Sequence, residues 1–168
     1  MKGMFRVEIQ DTLSMGLKTY FKKAGINPLI STGADRKAKI KVGLQLINFI
    51  INGSSNEAVT PPVKWGNLRA CGSVFVGSEF VGGNNLYPRS YNPGNEQPCT
   101  SYSDNSNTIT VGFNASYTAR MHETVWEPGP VSEQSRNVGN KFVEKHLKAD
   151  KETLIKMYAD TFRQETGG

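Results

Sequence analysis

The adjacent His122 and Glu123 are the residues that come nearest to a catalytic or metal-binding motif. A zinc-protease helix needs His-Glu-x-x-His, because its two histidines must lie one turn apart on the same face. Position 126 is Trp126, so the second ligand is missing, and His146, the other histidine, lies on a lysine-rich segment. We therefore predict that both histidines are structural, and we expect no metal and no other cofactor.

Nucleophilic and phosphate-binding chemistry has no clear signature in the sequence either. Cys71 falls in a predicted strand and Cys99 in a predicted loop, and neither has an identifiable base beside it. The serines lack the Gly-x-Ser-x-Gly turn of hydrolases, and no Gly-x-x-x-x-Gly-Lys-Ser/Thr loop is present. A pair of carboxylates stays open as an alternative, since such pairs meet only in the folded chain. The sequence predicts a protein that is not an enzyme.

Length and composition limit the classes of protein to consider. The chain has 168 residues with a formal net charge of +5, and 37% of its residues are hydrophobic. This is enough for a core, and we expect a single domain over residues 1–168. No window approaches the ~18 apolar residues of a membrane helix, and the first ten residues lack the apolar run of a signal peptide. We therefore expect neither a membrane span nor secretion.

Positive charge is concentrated near the start of the chain. The first fifty residues hold nine basic and three acidic side chains, and Lys37, Lys39 and Lys41 form a predicted basic patch. Such a patch can meet nucleic acid or an acidic protein surface, or it can be the solvated face of a helix. The modest charge favours the solvated face.

Two long helical segments are predicted to position these residues. Apolar residues recur at helical spacing from about residue 35 to residue 51, so we predict a helix that Asp35 caps and that stops at Asn52-Gly53. A C-terminal helix is predicted from near Asn140, with a fresh turn at Asp150. A short helix is predicted over residues 10–23, and another turn of helix over residues 117–123.

Two strands are predicted, over residues 68–76 and 108–113, as antiparallel neighbours. A helical turn is the alternative for the first residues of the earlier strand. In the later strand the alternation predicts that Thr110 points outward while Ile109, Val111 and Phe113 point inward. The predicted fold class is α+β, a small antiparallel sheet packed by the long helix of the N-terminal half and by the C-terminal helix.

A long segment separates the two predicted strands. In residues 77–107, 18 of the 31 positions are Gly, Asn, Ser or Pro. Structureless loops of this length are uncommon in compact domains, and tyrosine offers a large contact area with a polar tip. We therefore predict an extended arm that docks on a partner through Tyr87, Tyr91 and Tyr102, with a disordered loop as the alternative. A second irregular loop, with Trp126, is predicted over residues 124–136.

Several short motifs, each weak alone, occur in an order that resembles one protein family. A proline pair precedes Gly66-Asn67-Leu68-Arg69, and a strand with Val111-Gly112 comes later. Then come a Tyr-Thr-Ala-Arg-Met-His-Glu turn, a loop and a helix that opens at Lys141-Phe142. The order resembles that of the tail-completion, or head–tail joining (neck), proteins of tailed bacteriophages, often called minor capsid or minor tail proteins.

The resemblance covers residues 35–160 and has two departures from the family pattern. The family commonly has Asp-Thr-Gly before Leu-Arg, whereas this chain has Lys64-Trp65-Gly66-Asn67. The segment between the strands is also longer than a simple hairpin. Both departures bear on which partners are expected, and neither removes the core pattern.

The resemblance implies a structural protein of the virion, made in the host cytoplasm, with no catalytic activity. It implies a homo-oligomeric ring, a hexamer, at the neck between the head and the tail. The implied partners are a portal-side connector or stopper protein and a tail terminator or tail tube protein, with DNA passing through the lumen without sequence recognition. Trp65 and Arg69 then join the tyrosines and Trp126 as expected interface residues, although Arg69 could equally solvate a strand end. The alternative function is nucleic-acid binding by the basic N-terminal third.

Overall fold

One long helix and a small sheet organise the packing of the chain. The computed structural model describes residues 5–8, 32–56, 58–63, 66–83, 99–103, 108–130 and 137–167, with side chains from residue 33 onward. The helix predicted over residues 10–23 lies outside this part of the chain. In chain order the described elements are β1 (Phe5–Glu8), α1 (Thr32–Asn52), α2 (Asn67–Ala70), β2 (Gly72–Val76), β3 (Glu79–Gly82), β4 (Ile109–Phe113), α3 (Thr118–Glu123), α4 (Phe142–Ala149) and α5 (Lys151–Thr166).

Helix α1 follows the predicted helix closely but starts earlier. It begins at Thr32, so Asp35 lies in its first turn and is not the cap that the sequence predicted. The Asp35 carboxylate instead accepts hydrogen bonds from the Lys39 ammonium, at 2.6 Å, and from the Tyr158 hydroxyl of α5. The helix ends as predicted, because Gly53 adopts φ 90° and its N–H donates to the Phe49 carbonyl at 2.8 Å.

The sheet has four antiparallel strands in the order β1-β4-β2-β3. The predicted antiparallel pairing of the two central strands is confirmed, with Val74 opposite Val111. The residues before β2 form the helical turn α2, one of the two alternatives that the sequence left open. Gly66 precedes this turn at φ 77°, a left-handed conformation that a side chain would strain.

Strand β3 lies inside the segment predicted to be an extended arm, which corrects the bounds of that arm. Residues 79–82 return along β2 after a two-residue turn at Gly77-Ser78, with Gly77 at φ 59°. A tight hairpin of this kind requires a positive φ that glycine supplies. The strand was missed because only Phe80 and Val81 stand out as strand formers among glycines. Residues 84–98 and 104–107 of the segment lie outside the described residues.

Helix α1 covers one face of the sheet at very short range. A Cβ built on Gly43 would lie 2.6 Å from Val74 Cγ1 and 3.1 Å from Ile109 Cγ2, so only glycine allows this approach. Gly72 has the reciprocal role on the sheet, since its Cβ would lie 2.9 Å from the Ile51 side chain. At each of these two glycines the backbone of one element therefore packs directly against side chains of the other.

The opposite face of the sheet is buried as well. Phe75 packs against Phe80 and Tyr102, with ring centroids 5.6 Å and 5.4 Å apart. Thr110 shares this face and is fully buried, so the prediction that it points outward is wrong. The alternation of Thr with apolar residues indicated one solvated face, whereas both faces of β4 are covered.

The C-terminal residues form two helices that share the core with α1. Helix α4 packs on the sheet through Phe142, whose ring meets that of Phe113 edge-on at 5.7 Å. Asp150 separates α4 from α5, as predicted, but its side chain does not cap α5. No helix in the described ranges is sufficiently long and apolar to span a membrane. The architecture is the predicted α+β arrangement of a small antiparallel sheet, a long helix and C-terminal helices.

Candidate functional site

Four side chains form a charged cluster where α3 meets α4. His122 is fully buried, and its Nδ1 lies 2.7 Å from Glu123 Oε1. The Lys141 ammonium donates to the second carboxylate oxygen of Glu123 and to Glu144 Oε1, the latter at 3.4 Å. One lysine therefore joins two carboxylates from two different helices.

The backbone around Lys141 fixes this cluster. Lys141 adopts φ 53°, and its N–H donates to the His122 carbonyl at 2.8 Å. The Phe142 ring then packs edge-on against the His122 ring, with centroids 4.8 Å apart. The end of α3 is thus joined to the start of α4 by a main-chain bond, a ring contact and ion pairs.

The electrostatics of the cluster follow from burial and from these bonds. Burial lowers the pKa of His122, because desolvation disfavours the imidazolium. The hydrogen bond from Lys141 lowers the pKa of Glu123, and the same bond raises the pKa of Lys141. Near neutral pH, we expect a neutral imidazole beside a carboxylate and an ammonium.

Three side chains of this cluster carry atoms that can coordinate a metal cation. His122, Glu123 and Glu144 offer ligand atoms that all lie within 4.8 Å of one another, and a histidine with two carboxylates is a donor set that divalent metals accept. The Lys141 ammonium, however, contacts both carboxylates and supplies the positive charge there. The arrangement therefore works as an ion-paired joint between helices. His146 is likewise fully buried, with Nδ1 at 2.7 Å from Asp150 Oδ2.

A second feature follows directly after α3, where the chain turns outward. The Arg120 carbonyl accepts two bonds from Thr124, from its N–H at 3.0 Å and from its hydroxyl at 2.6 Å. The Trp126 indole N–H donates to the Met121 carbonyl at 2.8 Å. Between these anchored residues Val125 is 91% exposed. Residues 124–130, which we name the Val125 loop, are thus held at their base while they present an apolar side chain to solvent.

The structure places the predicted interface residues in different environments. Arg69 is only 5% exposed, and its guanidinium donates to Pro61 and Thr60 of the same chain. Tyr102 is buried against Phe75. Both residues were expected to contact a partner, and both are instead part of this chain's own packing. Trp126 is half-buried, with its indole N–H turned to α3.

The other predicted interface residues, Trp65, Tyr87 and Tyr91, lie outside the described residues. The docking arm is therefore described only at its two ends, in β3 and around Tyr102. At these two ends the arm belongs to its own chain's sheet, since β3 pairs with β2 and Tyr102 packs against Phe75.

The predicted basic patch on α1 is largely paired within the chain. The Lys37 ammonium lies 2.5 Å from Glu165 of α5, although its side chain is 61% exposed. The Lys39 ammonium is 2.6 Å from Asp35 on the preceding turn. Lys41 is exposed, and no ion pair joins it to another described residue. The three lysines therefore do not act as one unpaired cationic surface.

The cluster around Lys141 was not found by sequence reasoning. His122 and Glu123 were considered only as a broken zinc motif, and nothing near Lys141 indicates a positive φ, because non-glycine residues rarely adopt one. Comparisons of the chain with protein-family models, with curated proteins and with solved structures find no match.

Proposed function

We propose that this protein is a structural component of the neck of a tailed bacteriophage, where it forms a ring that joins the DNA-filled head to the tail. The observation that carries the proposal is the order of elements around the motifs of the resemblance. A long helix, a glycine turn with Leu-Arg, a hairpin, a Val-Gly strand, a short helix ending in Glu, a loop and a C-terminal helix follow one another.

The motif residues have roles that suit a shared scaffold. Gly66 has the left-handed conformation before α2. The buried Arg69 side chain donates a hydrogen bond to the carbonyl oxygen of Pro61, the first residue of the proline pair. Glu123 closes α3 and reaches Lys141, the residue that opens α4. These three positions join consecutive elements of the fold, which is a reason for such residues to recur together at this spacing.

The proposed partners follow from the ring. Other copies of the chain would form the ring, a hexamer, with a portal-side connector or stopper protein on one side and a tail terminator or tail tube protein on the other. Rings of one chain use heterologous contacts, in which two different faces of each subunit meet. The function needs no catalysis and no cofactor, and the protein would be located in the virion.

The pairing of the basic patch bears on how DNA would pass through such a ring. Each lysine or arginine that contacts a phosphate adds salt-dependent affinity, which would hold DNA in place. Lys37 and Lys39 are paired with Glu165 and Asp35, and this pairing reduces the charge that α1 offers to phosphates. The pairing of these lysines supports the passage of DNA through the ring without tight binding, and it disfavours the alternative of nucleic-acid binding through this patch.

Electron microscopy of the purified protein, alone and mixed with tails or with portal-containing heads, tests the proposal. Rings, or density added at the tail end or at the portal, are the expected result. The contrary result is a monomer that stays apart from both at high concentration. A second measurement, of DNA affinity against salt concentration, addresses the alternative. A steep fall in the monomer's affinity as salt rises would favour a nucleic-acid-binding protein.

A further inference from the structure

The Val125 loop combines features of a preorganised contact. Its base is fixed by bonds from Thr124 and Trp126 to the last carbonyls of α3. A residue held in place before binding loses little conformational entropy when it docks, which favours association. Val125 is, in the described part of the chain, the one large hydrophobic residue that is exposed. A single exposed valine is ordinary on a surface, but one held by three hydrogen bonds at its base is a shaped projection.

The charges around this projection are unevenly paired. Glu123, just before the loop, is bonded to Lys141 and His122. Glu127, two residues after Val125, is exposed and makes no ion pair with another described residue. The loop therefore offers an apolar side chain with one available carboxylate next to it.

A complementary surface is present on α1 of the same chain. Lys41 is exposed and, within the described ranges, has no acidic partner, unlike Lys37 and Lys39 on the preceding turn. Leu44 lies three residues further on, on the same face of the helix; it is partly buried, with its Cδ2 3.1 Å from where a Cβ on Gly82 of β3 would lie. This face therefore offers the exposed part of a partly buried leucine, with one available ammonium next to it.

We propose that the Val125 loop of one copy docks on the Lys41–Leu44 face of α1 in a neighbouring copy. Val125 packs against Leu44, and Glu127 pairs with Lys41. The occupant is a second copy of this chain because the two surfaces match in charge and in apolar content. They are different surfaces, so the contact is heterologous and repeats around a closed ring. The inference rests on the proposed function, since it specifies the contact by which that ring forms.

A charge exchange tests the contact directly. Glu127→Lys and Lys41→Glu should each weaken self-association roughly tenfold, because an attractive pair becomes a repulsive one. The double variant should recover most of the loss. Both residues are exposed, so circular dichroism and thermal unfolding should show each variant folded as the wild type is. Mass photometry or native mass spectrometry over a concentration series reports the association.

Two further variants sharpen the assignment. Lys151→Glu reverses the charge of a lysine beside the half-buried Ile155 of α5, a comparable surface, and should leave association unchanged. Val125→Ser should weaken association without changing its salt dependence. Loss of association in Lys151→Glu but not in Lys41→Glu would move the contact to α5 and overturn the proposal.

The outcomes separate this inference from the proposed function. Rings that persist in both single charge variants would refute the docking contact and leave the ring function standing. A wild-type chain that forms no oligomer, alone or with heads and tails, would refute both. Weakened single variants that the exchange does not restore would also refute the pairing of Glu127 with Lys41.

Discussion

The guanidinium of Arg69 donates two hydrogen bonds to the carbonyl oxygen of Pro61, from Nε at 2.9 Å and from Nη2 at 2.7 Å. A third bond goes from Nη2 to the Thr60 hydroxyl at 2.9 Å. Thr60 also exchanges main-chain bonds with Asn137 and Gly139, just before α4. One buried arginine therefore ties the turn before the sheet to the segment that leads into the C-terminal helices.

Replacement of Arg69 should destabilise the fold. Arg69→Ala leaves the Pro61 carbonyl and the Thr60 hydroxyl without this donor in a buried place, and we expect a loss of about 2–4 kcal/mol in the free energy of unfolding. Arg69→Lys should recover little of it, because an ammonium cannot reproduce the planar fork. Urea unfolding measures both variants. Lys148→Ala, at an exposed position of α4, is the control, and equal stabilities of the control and Arg69→Ala would contradict the expectation.

The helix–sheet contact at Gly43 gives a second prediction. Gly43→Ala places a methyl group 2.6 Å from Val74 Cγ1, so α1 must shift, and we expect a loss of about 1–3 kcal/mol. Gly33→Ala is the matched control in the same helix, because its Cβ would meet nothing within 4 Å. Higher helix propensity should make this control neutral or more stable by up to about 1 kcal/mol. Thermal unfolding distinguishes the two, and two equally stable variants would contradict the packing argument.

The buried His122 predicts a pH dependence of stability. Its pKa in the folded chain lies below the ordinary value of 6.5, so the unfolded chain binds the proton more tightly. Its contribution to stability is fully present above pH 6.5 and decreases as the pH falls toward the lowered pKa. Urea unfolding between about pH 5 and pH 8 should therefore show that the free energy of unfolding falls more steeply with decreasing pH in the wild type than in His122→Gln. Parallel profiles for the two proteins would contradict this role.

Asp150 gives a prediction about the junction of α4 and α5. Its carboxylate lies 2.7 Å from His146 Nδ1 and accepts a bond of the same length from the Asn56 amide. Asp150→Ala removes the hydrogen-bond partner of the fully buried His146 ring, and we expect the free energy of unfolding to decrease by about 2–3 kcal/mol. Asn56→Ala also removes a donor to this carboxylate, but Asn56 is exposed, so water can take the place of its amide, and the variant should cost about 1 kcal/mol or less. Denaturant unfolding of both variants, with Asn56→Ala as the more stable one, is the expected result.

Regular patterns in the sequence were sufficient for the main elements. The apolar spacing along α1 and the alternation in β4 can be recognised from neighbouring residues alone. In the folded chain the two elements share one core, so these local preferences and the tertiary packing favour the same structure. A fresh turn at Asp150 was predicted because aspartate can cap a helix, whereas the step from Leu147 to Leu154 keeps the apolar residues on one face; the structure has the break but not the side-chain cap. The fold class follows from these elements, since two long helices and a few short strands can share a core in few ways.

The remaining features depend on contacts between different elements of the folded chain. Thr110 is buried because Phe75, Phe80 and Tyr102 cover the second face of the sheet, and no neighbour of Thr110 in sequence shows this. Arg69 points inward because Pro61 is brought to it by the fold. Lys141 adopts φ 53° and joins Glu123 of α3 to Glu144 of α4, and neither feature is marked by a local sequence pattern. Each of these positions carries a polar residue whose environment depends on contacts outside its own helix or strand.

The close approach of α1 to the sheet also has an evolutionary consequence. The space at position 43 is taken by the side chain of Val74, so the sizes of the residues at these two positions are linked. Relatives of this chain that carry alanine or serine at position 43 should carry a smaller residue at position 74. Positions 43 and 74 should therefore covary among relatives. A set of related sequences in which they vary independently would show that the helix can move away from the strand at little cost.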